Sequence, residues 1–538
     1  MIWLGATLAL PLLMLLACLS SVVRARMAGW LAIAPLPGLA AALFASDASL
    51  DLPPLLWRLR LSLDLPSAIL LGTAALLWTA AGVYAAAWFR DDPRGGRIPV
   101  WWLLTLTGSL GVFMAADLVS FYLLFSLVSL AAYGMIIEGR TPDAQRVGLI
   151  YVAFAVFGEA LLLLGFVMLA ESISGKSLLL RDVVAALPTS PWRNASLALI
   201  ILGFGVKLGM APFHPWMPIT YRTAPIPAAA VLSGAAVKAG VIGLIRFLPL
   251  GVALSGWGAV LVALGFISAF YGVLIGLRQS NPRVVLACSS ISQMGVVAAL
   301  FGAGLMAGDG HVALVAAFYA AHHTLVKGGL FLGVGLAPLA GVQRRRLVMV
   351  PAAVIGLGLA GLPLTGGALA KLAIKPVLGY GLAGALGIAS SVATALLMTH
   401  FLRRLAALPA STPAGAQGRA LRWSWLVVAA AAVVVPWTLY PTVLDGSLAQ
   451  AFAPAELWSS LWPVLLGVGL CLLLSSWIGI QVGGLEHEAV LPVSAGVARA
   501  AIGAAAALER LDTAVRRWPV AVLLLLTVVA ALAGLMAR

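Results

Sequence analysis

Residues 203–247 read GFGVKLGMAPFHPWMPITYRTAPIPAAAVLSGAAVKAGVIGLIRF, and two lysines in this apolar stretch decide how the chain is interpreted. Lys207 and Lys238 are separated by a run with prolines at positions 212, 215, 218, 225 and 227. Because proline removes a backbone donor and clashes with the preceding turn, a helix that carries Lys207 must break soon after it. An ammonium in hydrocarbon costs at least ~3 kcal/mol, so such lysines usually face a protein interior or a watered path. The stretch predicts a broken membrane helix beside buried ionisable groups.

The whole chain has the composition of a membrane protein, with 62% hydrophobic and 9% charged residues over 538 positions. A span needs about 20 apolar residues. We therefore expect an all-α polytopic membrane protein with about 16 transmembrane helices. The candidate spans begin near residues 2, 27, 67, 98, 118, 148, 195, 227, 255, 284, 311, 348, 378, 422, 457 and 518. The first run, 1–20, lacks a basic n-region and is predicted to be a retained helix, not a signal peptide.

The net charge of +15 would suggest a nucleic-acid partner in a soluble protein, but here most arginines fall in alternate loops. Outward loops hold mainly Arg58, Arg60, Lys176, Arg181 and Arg193. By the positive-inside rule both termini are predicted outside, in a bacterial cytoplasmic (inner) membrane, and no nucleic-acid partner is needed. Cys18, Cys288 and Cys471 lie in apolar runs without paired spacing, which favours neither a disulfide framework nor a metal cluster.

Lysine is distributed differently from arginine. Five of the six lysines lie within or at the ends of predicted spans: Lys207, Lys238, Lys327, Lys371 and Lys375. Arginine does not readily release its proton in a protein, whereas lysine can. The division favours proton handling within the membrane over incidental placement.

Two acidic residues lie at or within predicted spans. Glu159 has no other charged residue for about ten positions on either side, and a carboxylate at such a position indicates function unless it is neutral or paired. We expect its partner to be an ammonium on a neighbouring helix. Asp117, at the start of the fifth span, is either a functional acid or a helix cap.

Two histidines, His214 and His323, are candidates for proton relay. His214 lies in the proline-rich break, where it either relays protons or hydrogen-bonds backbone groups that the prolines free. His323 and Lys327 are four residues apart and lie on one helix face, so a proton can pass between them directly or through one water. The same spacing suits a metal site, but lysine is a poor ligand. His322 points elsewhere and is interpreted as a packed, hydrogen-bonded histidine.

A second break is predicted in GLGLAGLPLTGGALAKLAIKP, residues 356–376, where Gly361, Pro363, Gly366 and Gly367 precede Lys371. Non-helical backbone at membrane depth is tolerated where it is buried in protein or lines a cavity. The two broken spans are five spans apart, an odd number, which predicts two inverted five-helix repeats. The predicted divisions are packing helices in 1–97, repeats in 98–250 and 251–402, and C-terminal helices in 403–538. Within the last division, residues 491–517 form either an amphipathic helix at the inner interface or a solvated linker helix.

Several of these motifs, in order over residues 100–400, resemble the antiporter-like membrane subunits of respiratory complex I, hydrogenase-4-type hydrogenases and Mrp cation/proton antiporters. VKLGMAPFHPWMP is similar to the family's broken seventh helix, LSGAAVKAGVIGLIRF to the eighth, AHHTLVKGGLFL to the relay helix and GLPLTGGALAK to the second broken helix. The resemblance implies a fourteen-helix core of two inverted repeats with titratable residues and water across the membrane centre.

The resemblance also implies roles for individual residues. Lys207 would be the lysine paired with a carboxylate, Lys238 the bridge between the halves, His323 and Lys327 the relay, and Lys371 the terminal residue. Most pumping members carry a glutamate in the fifth helix, where this chain has Ser126 after Phe125. Glu159, one helix later, can take its place beside Lys207.

These observations predict a proton-translocating or cation/proton-exchanging subunit of a larger membrane complex, with H+ and either Na+ or K+ as candidate ions. The alternatives are a subunit that uses proton flow to energise a non-redox partner, such as an inorganic-carbon uptake protein, and a transport-inactive scaffold. No Rossmann fingerprint, phosphate loop, cysteine cluster or haem motif is present in the sequence, so no cofactor or metal is predicted. Any coupled redox chemistry, as in a redox-driven pump, would occur in another subunit.

Overall fold

The protein was analysed as a computed structural model that describes residues 1–51, 59–90, 97–172, 177–411 and 416–482. It is built from α-helices, with one short antiparallel pair of strands near the N-terminus, in which Ser49 pairs with Ser62. The predicted amphipathic stretch 491–517 and the span near residue 518 lie outside the described residues.

The elements follow one another in this order: α1 Ile2–Ala17, α2 Ser21–Arg26, α3 Leu36–Phe44, β1 Ser49–Asp51, β2 Arg60–Ser62, α4 Leu65–Trp88, α5 Ile98–Met114, α6 Leu118–Ile136, α7 Pro142–Glu171, α8 Leu180–Ala186, α9 Arg193–Leu208, α10 Trp216–Thr223, α11 Ile226–Val231, α12 Lys238–Phe247, α13 Ser255–Leu277, α14 Pro282–Ala307, α15 Val312–Leu339, α16 Gly341–Gly358, α17 Gly366–Leu378, α18 Leu382–Ala406, α19 Ala416–Val443, α20 Leu448–Ala451 and α21 Pro454–Val482. A π-helical turn, Leu232–Ala236, joins α11 to α12.

The number of spans differs from the predicted sixteen. Within the described ranges, nine helices are long and apolar enough to cross a bilayer, or ten if α1 and the segment Ser21–Trp30, bent by 116°, count as one span. The run near residue 27 is wrong as a continuous span, because Pro35 and Pro37 divide it into short pieces. Elsewhere the predicted spans seven and twelve are each split by a break, and none of α9, α10, α16 and α17 is among the nine helices.

Both predicted breaks are present. After Lys207 the chain leaves the helix at Gly209 and resumes as α10 at Trp216. Helix α16 ends at Gly358, and α17 begins at Gly366, five residues before Lys371. Each break lies beside one of the lysines that the sequence singles out, Lys207 and Lys371.

Polar residues define where several long helices start. The side chains of Thr141 and Asn281 accept hydrogen bonds from backbone N–H groups in the first turns of α7 and α14. Pro142 and Pro282 follow at the first helical position, where a missing N–H has no consequence. Local sequence therefore fixes the starts of α7 and α14, two helices that contribute to the site.

Glycines allow α13 and α14 to pack closely. Gly258, Gly265 and Gly272 recur every seven residues on α13, and the first two face Gly302 and Gly295 on α14. A Cβ at Gly265 would lie 2.6 Å from the carbonyl oxygen of Gly295. Close backbone approach through small residues is how membrane helices associate without a hydrophobic driving force between them. This contact fixes α14, which in turn packs against α15 at the centre of the molecule.

Candidate functional site

Lys207 lies buried in the last turn of α9. The helix ends at Gly209, whose φ of 68° lies in the left-handed region that glycine adopts without strain. The Lys207 ammonium donates to the Ser129 hydroxyl on α6 at 2.8 Å. The same nitrogen lies 5.4 Å from the centre of the Phe125 ring, within range of a cation–π interaction. Neutral partners on α6 therefore hold Lys207 in place.

Glu159 lies on α7 with 6% of its surface exposed. Lys207 is its charged neighbour, and the Ser126 and Ser129 hydroxyls lie beside it. In the part of the chain that the structure describes, no ion pair within 4 Å joins Glu159 to Lys207. A cavity of about 20 Å³ beside Gly158, Ser129 and Lys207 has room for a single water molecule. Glu159 and Lys207 are thus within electrostatic range of each other without direct contact.

The break after Lys207 has partners for its backbone. The Trp216 indole donates to the carbonyl oxygen of Val206 at 3.0 Å, and the N–H of Ala211 donates to the Ser268 hydroxyl at 3.1 Å. His214 is buried in this segment with its ring edge-on to Tyr271, the centroids being 4.8 Å apart. Either role proposed for His214, proton relay or support of the backbone, stays a prediction.

Lys238 lies directly after the π-helical turn. This turn is wider than an α-helical turn, a feature that often accompanies functional sites. The Lys238 ammonium donates to the Ser233 carbonyl oxygen of the turn at 3.3 Å. It also lies 2.6 Å from Nδ1 of His323 on α15. The turn therefore places Lys238, the predicted bridging lysine, against α15, the predicted relay helix.

His323 and Lys327 lie on one face of α15, and neither is accessible to solvent. The Lys327 ammonium donates to the Leu286 carbonyl oxygen on α14 at 2.9 Å. Lys327 and Lys238 are both charged neighbours of His323. The fold thus brings together three basic side chains that lie up to 89 positions apart in the sequence.

His322 is packed, as the sequence predicts. It is buried, and its ring lies against the start of α17. A Cβ at Gly366 would be 2.9 Å from its Cδ2, and one at Gly367 would be 3.0 Å from its Cε1. Its charged neighbour is Lys371. Successive residues on a helix point roughly 100° apart, so two adjacent histidines on a buried helix contact different neighbouring helices.

Lys371 is the last predicted residue of the line. Among the described atoms its ammonium has no hydrogen-bond partner, and it lies 5.6 Å from the centre of the Tyr319 ring. The Tyr319 hydroxyl donates to Oε1 of Gln293 at 2.7 Å, and Gln293 Nε2 donates to the Thr394 hydroxyl at 3.0 Å. Sequence reasoning missed Tyr319 and Gln293, although an amide in the middle of an apolar helix was a visible signal.

Asp117 caps α6. Its carboxylate accepts hydrogen bonds from the backbone N–H of Ser120 at 2.9 Å and of Arg60 at 2.9 Å, and it contacts the Ser120 hydroxyl. The capping interpretation is confirmed. Since its oxygens are engaged in joining β2 to α6, Asp117 is not part of the line of buried groups.

About half of the chain is similar in sequence to subunits of three kinds of membrane protein. The chain is 27% identical over 290 residues to hydrogenase-4 component B of Escherichia coli, covering 52% of this chain and 43% of that protein. It is 32% identical over 273 residues to NADH-quinone oxidoreductase subunit N of Rubrobacter xylanophilus, covering 49% and 55%. It is 30% identical over 279 residues to Na+/H+ antiporter subunit A1 of Staphylococcus haemolyticus, covering 48% and 34%. The chain thus spans only part of the length of each of these relatives.

Two solved membrane complexes contain chains of similar fold. A chain in the Mrp complex from Dietzia sp. superposes with a TM-score of 0.67 at 20% identity, covering 87% of this chain and all of that one. A chain in the membrane-bound sulfane sulfur reductase, an archaeal respiratory membrane complex, gives 0.67 at 19% identity, covering 85% and 99%. At these identities the likeness establishes the fold.

The family model described as NADH:quinone oxidoreductase/Mrp antiporter, TM, matches residues 115–397, more than half of the chain. The matched region contains every residue of the line from Glu159 to Lys371. It confirms the resemblance that the motifs indicated and identifies a multi-pass membrane protein. The chain therefore belongs to the NADH:quinone oxidoreductase/Mrp antiporter transmembrane family.

Proposed function

We propose that this chain transfers protons within the membrane as a subunit of a multisubunit complex, along Glu159, Lys207, Lys238, His323, Lys327 and Lys371. The observation that carries the proposal is the 2.6 Å contact between Lys238 and His323, with Lys327 beside it in a solvent-free interior. Three neighbouring basic groups cannot all be cationic there, because unpaired charges in a medium of low polarity are very costly. When the cluster already carries a proton, it takes up another only if the first one leaves.

The geometry supports a defined step at His323. A protonated Lys238 gives a proton to Nδ1 of neutral His323, which leaves a neutral amine and an imidazolium. The imidazolium then releases the proton on Nε2, the other ring nitrogen, toward the next base or a water molecule. Nε2 is buried and has no hydrogen-bond partner among the described atoms, so it is not committed elsewhere.

Glu159 and Lys207 form the coupling pair at one end of the proposed line. When Glu159 is ionised it stabilises the Lys207 ammonium, and when Glu159 takes up a proton that stabilisation is lost. The Lys207 proton is then free to move toward Lys238. Each transfer changes the charge beside the next group, which couples the steps without a conformational change of the whole helix bundle.

The family offers two kinds of driving partner. Relatives are named as subunits of NADH-quinone oxidoreductase and of a Na+/H+ antiporter, so the exchange of a cation for protons and coupling to electron transfer elsewhere are both candidates. Coupling to a non-redox uptake partner is a third. Mass spectrometry of the proteins that copurify with the tagged chain in mild detergent distinguishes them: redox subunits, sibling antiporter subunits, or one uptake protein.

A transport-inactive scaffold is the second candidate function. Ser126 at the family's glutamate position, and the lack of direct contact between Glu159 and Lys207, favour it. The scaffold hypothesis predicts that charge-removing substitutions of the lysines leave transport by the complex unchanged.

Proton flux decides between the two. The native complex is reconstituted in liposomes that contain a pH-sensitive dye, with wild-type chain, Lys207→Ala or Lys371→Ala. Arg181→Ala is the control, because that basic side chain is 83% exposed and is not one of the residues proposed to transfer protons. We expect both lysine variants to assemble but to lose flux by ~100-fold, as for loss of a proton-transfer group. Flux at the wild-type rate in both would contradict the proposal.

A further inference from the structure

Beside Lys371 the structure holds a second, larger cavity of about 340 Å³ between α17, α18 and α21. This volume has room for several water molecules. Its lining includes Lys371, Lys375, Ser391, Trp437, Glu456 and Trp462. The cavity therefore joins the last member of the proposed proton line to a helix, α21, that lies outside the region matched by the family model.

Glu456 is the carboxylate on this cavity. It lies in the first turn of α21 and accepts hydrogen bonds from the Lys375 ammonium at 3.1 Å on Oε1 and 3.0 Å on Oε2. The Ser459 hydroxyl donates to Oε2 at 3.0 Å. Lys375 is one helical turn from Lys371 on α17, so the two lysines lie on the same helix face. Lys371, Lys375 and Glu456 therefore line the same cavity, with Lys371 at its inner end.

Exposure distinguishes the two ends of this set. The Lys371 ammonium is enclosed, whereas the side chains of Lys375 and Glu456 are 43% and 23% exposed. Because Glu456 lies in the first turn of a membrane-spanning helix, it is near the boundary of the bilayer. The cavity is therefore closed at Lys371 and open at Lys375 and Glu456, which are partly exposed.

We propose that Glu456 is the carboxylate that exchanges protons between Lys371 and the solution, and that Lys375 positions it. The inference rests on the proposed function and deepens it. The Lys371 ammonium releases a proton through water in the cavity to the Glu456 carboxylate, which leaves a neutral amine and a carboxylic acid. Glu456 then releases that proton to water at the mouth and returns to its ion pair with Lys375. Flow in the opposite direction reverses the same two transfers.

The test uses the native complex in proteoliposomes with the chain as wild type or with Glu456→Gln, Glu456→Asp or Lys375→Met. Glu171→Gln is the matched control, because Glu171 also lies at a helix end, is exposed and does not line the cavity. We expect E456Q to slow proton flux by ~10-fold or more and E456D to retain most of it. K375M should slow flux less than about threefold, because a partly exposed ion pair contributes little. E171Q should match wild type.

Chemical rescue separates a proton-exchanging role from a structural one. Added formate or acetate, small carboxylic acids that can enter a solvated cavity, should restore flux in E456Q but not in Lys371→Ala. Equal losses in E456Q and K375M without rescue would overturn the inference, since they would indicate that the ion pair only holds α21 in place. Wild-type flux in E456Q together with loss of flux in K371A would overturn this inference alone. Absence of flux in the wild-type complex would overturn the proposed function and this inference together.

Discussion

Ser126 stands where the resemblance to the family implies a glutamate, and Ser129 lies three residues further along α6. Lys207 donates to Ser129 at 2.8 Å, and the Ser126 hydroxyl is buried without a partner among the described atoms. A serine can hold an ammonium by hydrogen bonding but cannot neutralise its charge. The charge complement for Lys207 in this neighbourhood is Glu159, on the next helix.

The first prediction tests whether Glu159 provides the negative charge for Lys207. Glu159→Gln should slow proton flux by ~10-fold or more, because a neutral amide cannot modulate the charge on Lys207. In the double variant Glu159→Gln with Ser126→Glu, the carboxylate returns at the family's usual position beside the same lysine, and we expect most of the flux to return. Dye-reported flux in proteoliposomes is the measurement, with Glu171→Gln as control. Wild-type flux in E159Q would show that Glu159 has no part in the coupling.

Sequence alone located the ionisable members of the site but not their partners. Lys207, Lys238, Lys327 and Glu159 stand out because each is a charge in an apolar run. The Ser129 hydroxyl and the Leu286 carbonyl oxygen belong to other helices, so their contacts depend on tertiary packing that no local pattern encodes. The partner against which His322 packs was not predictable for the same reason, since only the fold places Gly366 against its ring.

The second break shows, at the scale of an element, how backbone geometry positions a lysine. Proline and glycine predicted both interruptions because their effects on helices are local. At the second one, a Cβ on Gly367 would overlap the carbonyl oxygen of Gly358, a backbone atom that cannot move aside as a side chain can. The glycine is therefore required for the close approach of the two half-helices.

A substitution at this glycine gives the second prediction. Gly367→Ala should destabilise the protein by about 1–3 kcal/mol, as overpacking does, and lower its melting temperature by several degrees. Gly356→Ala is the control, because a Cβ there would meet only a Leu330 methyl group at an ordinary 3.8 Å. Thermal unfolding in detergent, followed by tryptophan fluorescence, compares the two variants. Equal melting temperatures would mean that the half-helices do not pack as the structure has them.

Other features of the elements had no sequence signal. The π-helical turn before Lys238 lies in LSGAA, residues 232–236, whose composition is equally compatible with an α-helix. The sixteen predicted spans exceed the nine or ten candidate spans among the described residues. Two of the differences arise because hydropathy does not distinguish an unbroken span from two half-helices, and the span near residue 518 lies outside the described residues. The hairpin of β1 and β2 was not predicted, since its strands are only three residues each.

At the scale of the whole molecule, the placement of arginine predicts how the chain is oriented. Arg140 and Arg181 are both exposed and flank α7, a single 30-residue helix. Because α7 is long and apolar enough to cross a bilayer, we expect the two arginines on opposite sides, and the positive-inside rule predicts that Arg140 lies on the cytoplasmic side.

Labelling with an impermeant thiol reagent gives the third prediction. In a background without the three native cysteines, Arg181→Cys should react in right-side-out vesicles and Arg140→Cys only in inverted ones. Permeabilised vesicles, in which both should react, are the control for accessibility. Reaction of both positions from the same side would contradict the path of α7 through the membrane, and a full reversal would contradict the predicted orientation alone.

The central claim is that protons cross the middle of the molecule through His323. Its direct test is proton flux in proteoliposomes of the native complex with His323→Gln, in which the amide can still hydrogen-bond Lys238 but cannot carry a proton. His311→Gln is the matched control, because His311 is exposed, directly precedes the same helix and makes no capping hydrogen bond through its side chain. We expect flux to fall ~100-fold in H323Q and to stay within about twofold of wild type in H311Q. Flux at the wild-type rate in H323Q, in a complex of normal composition, would contradict it.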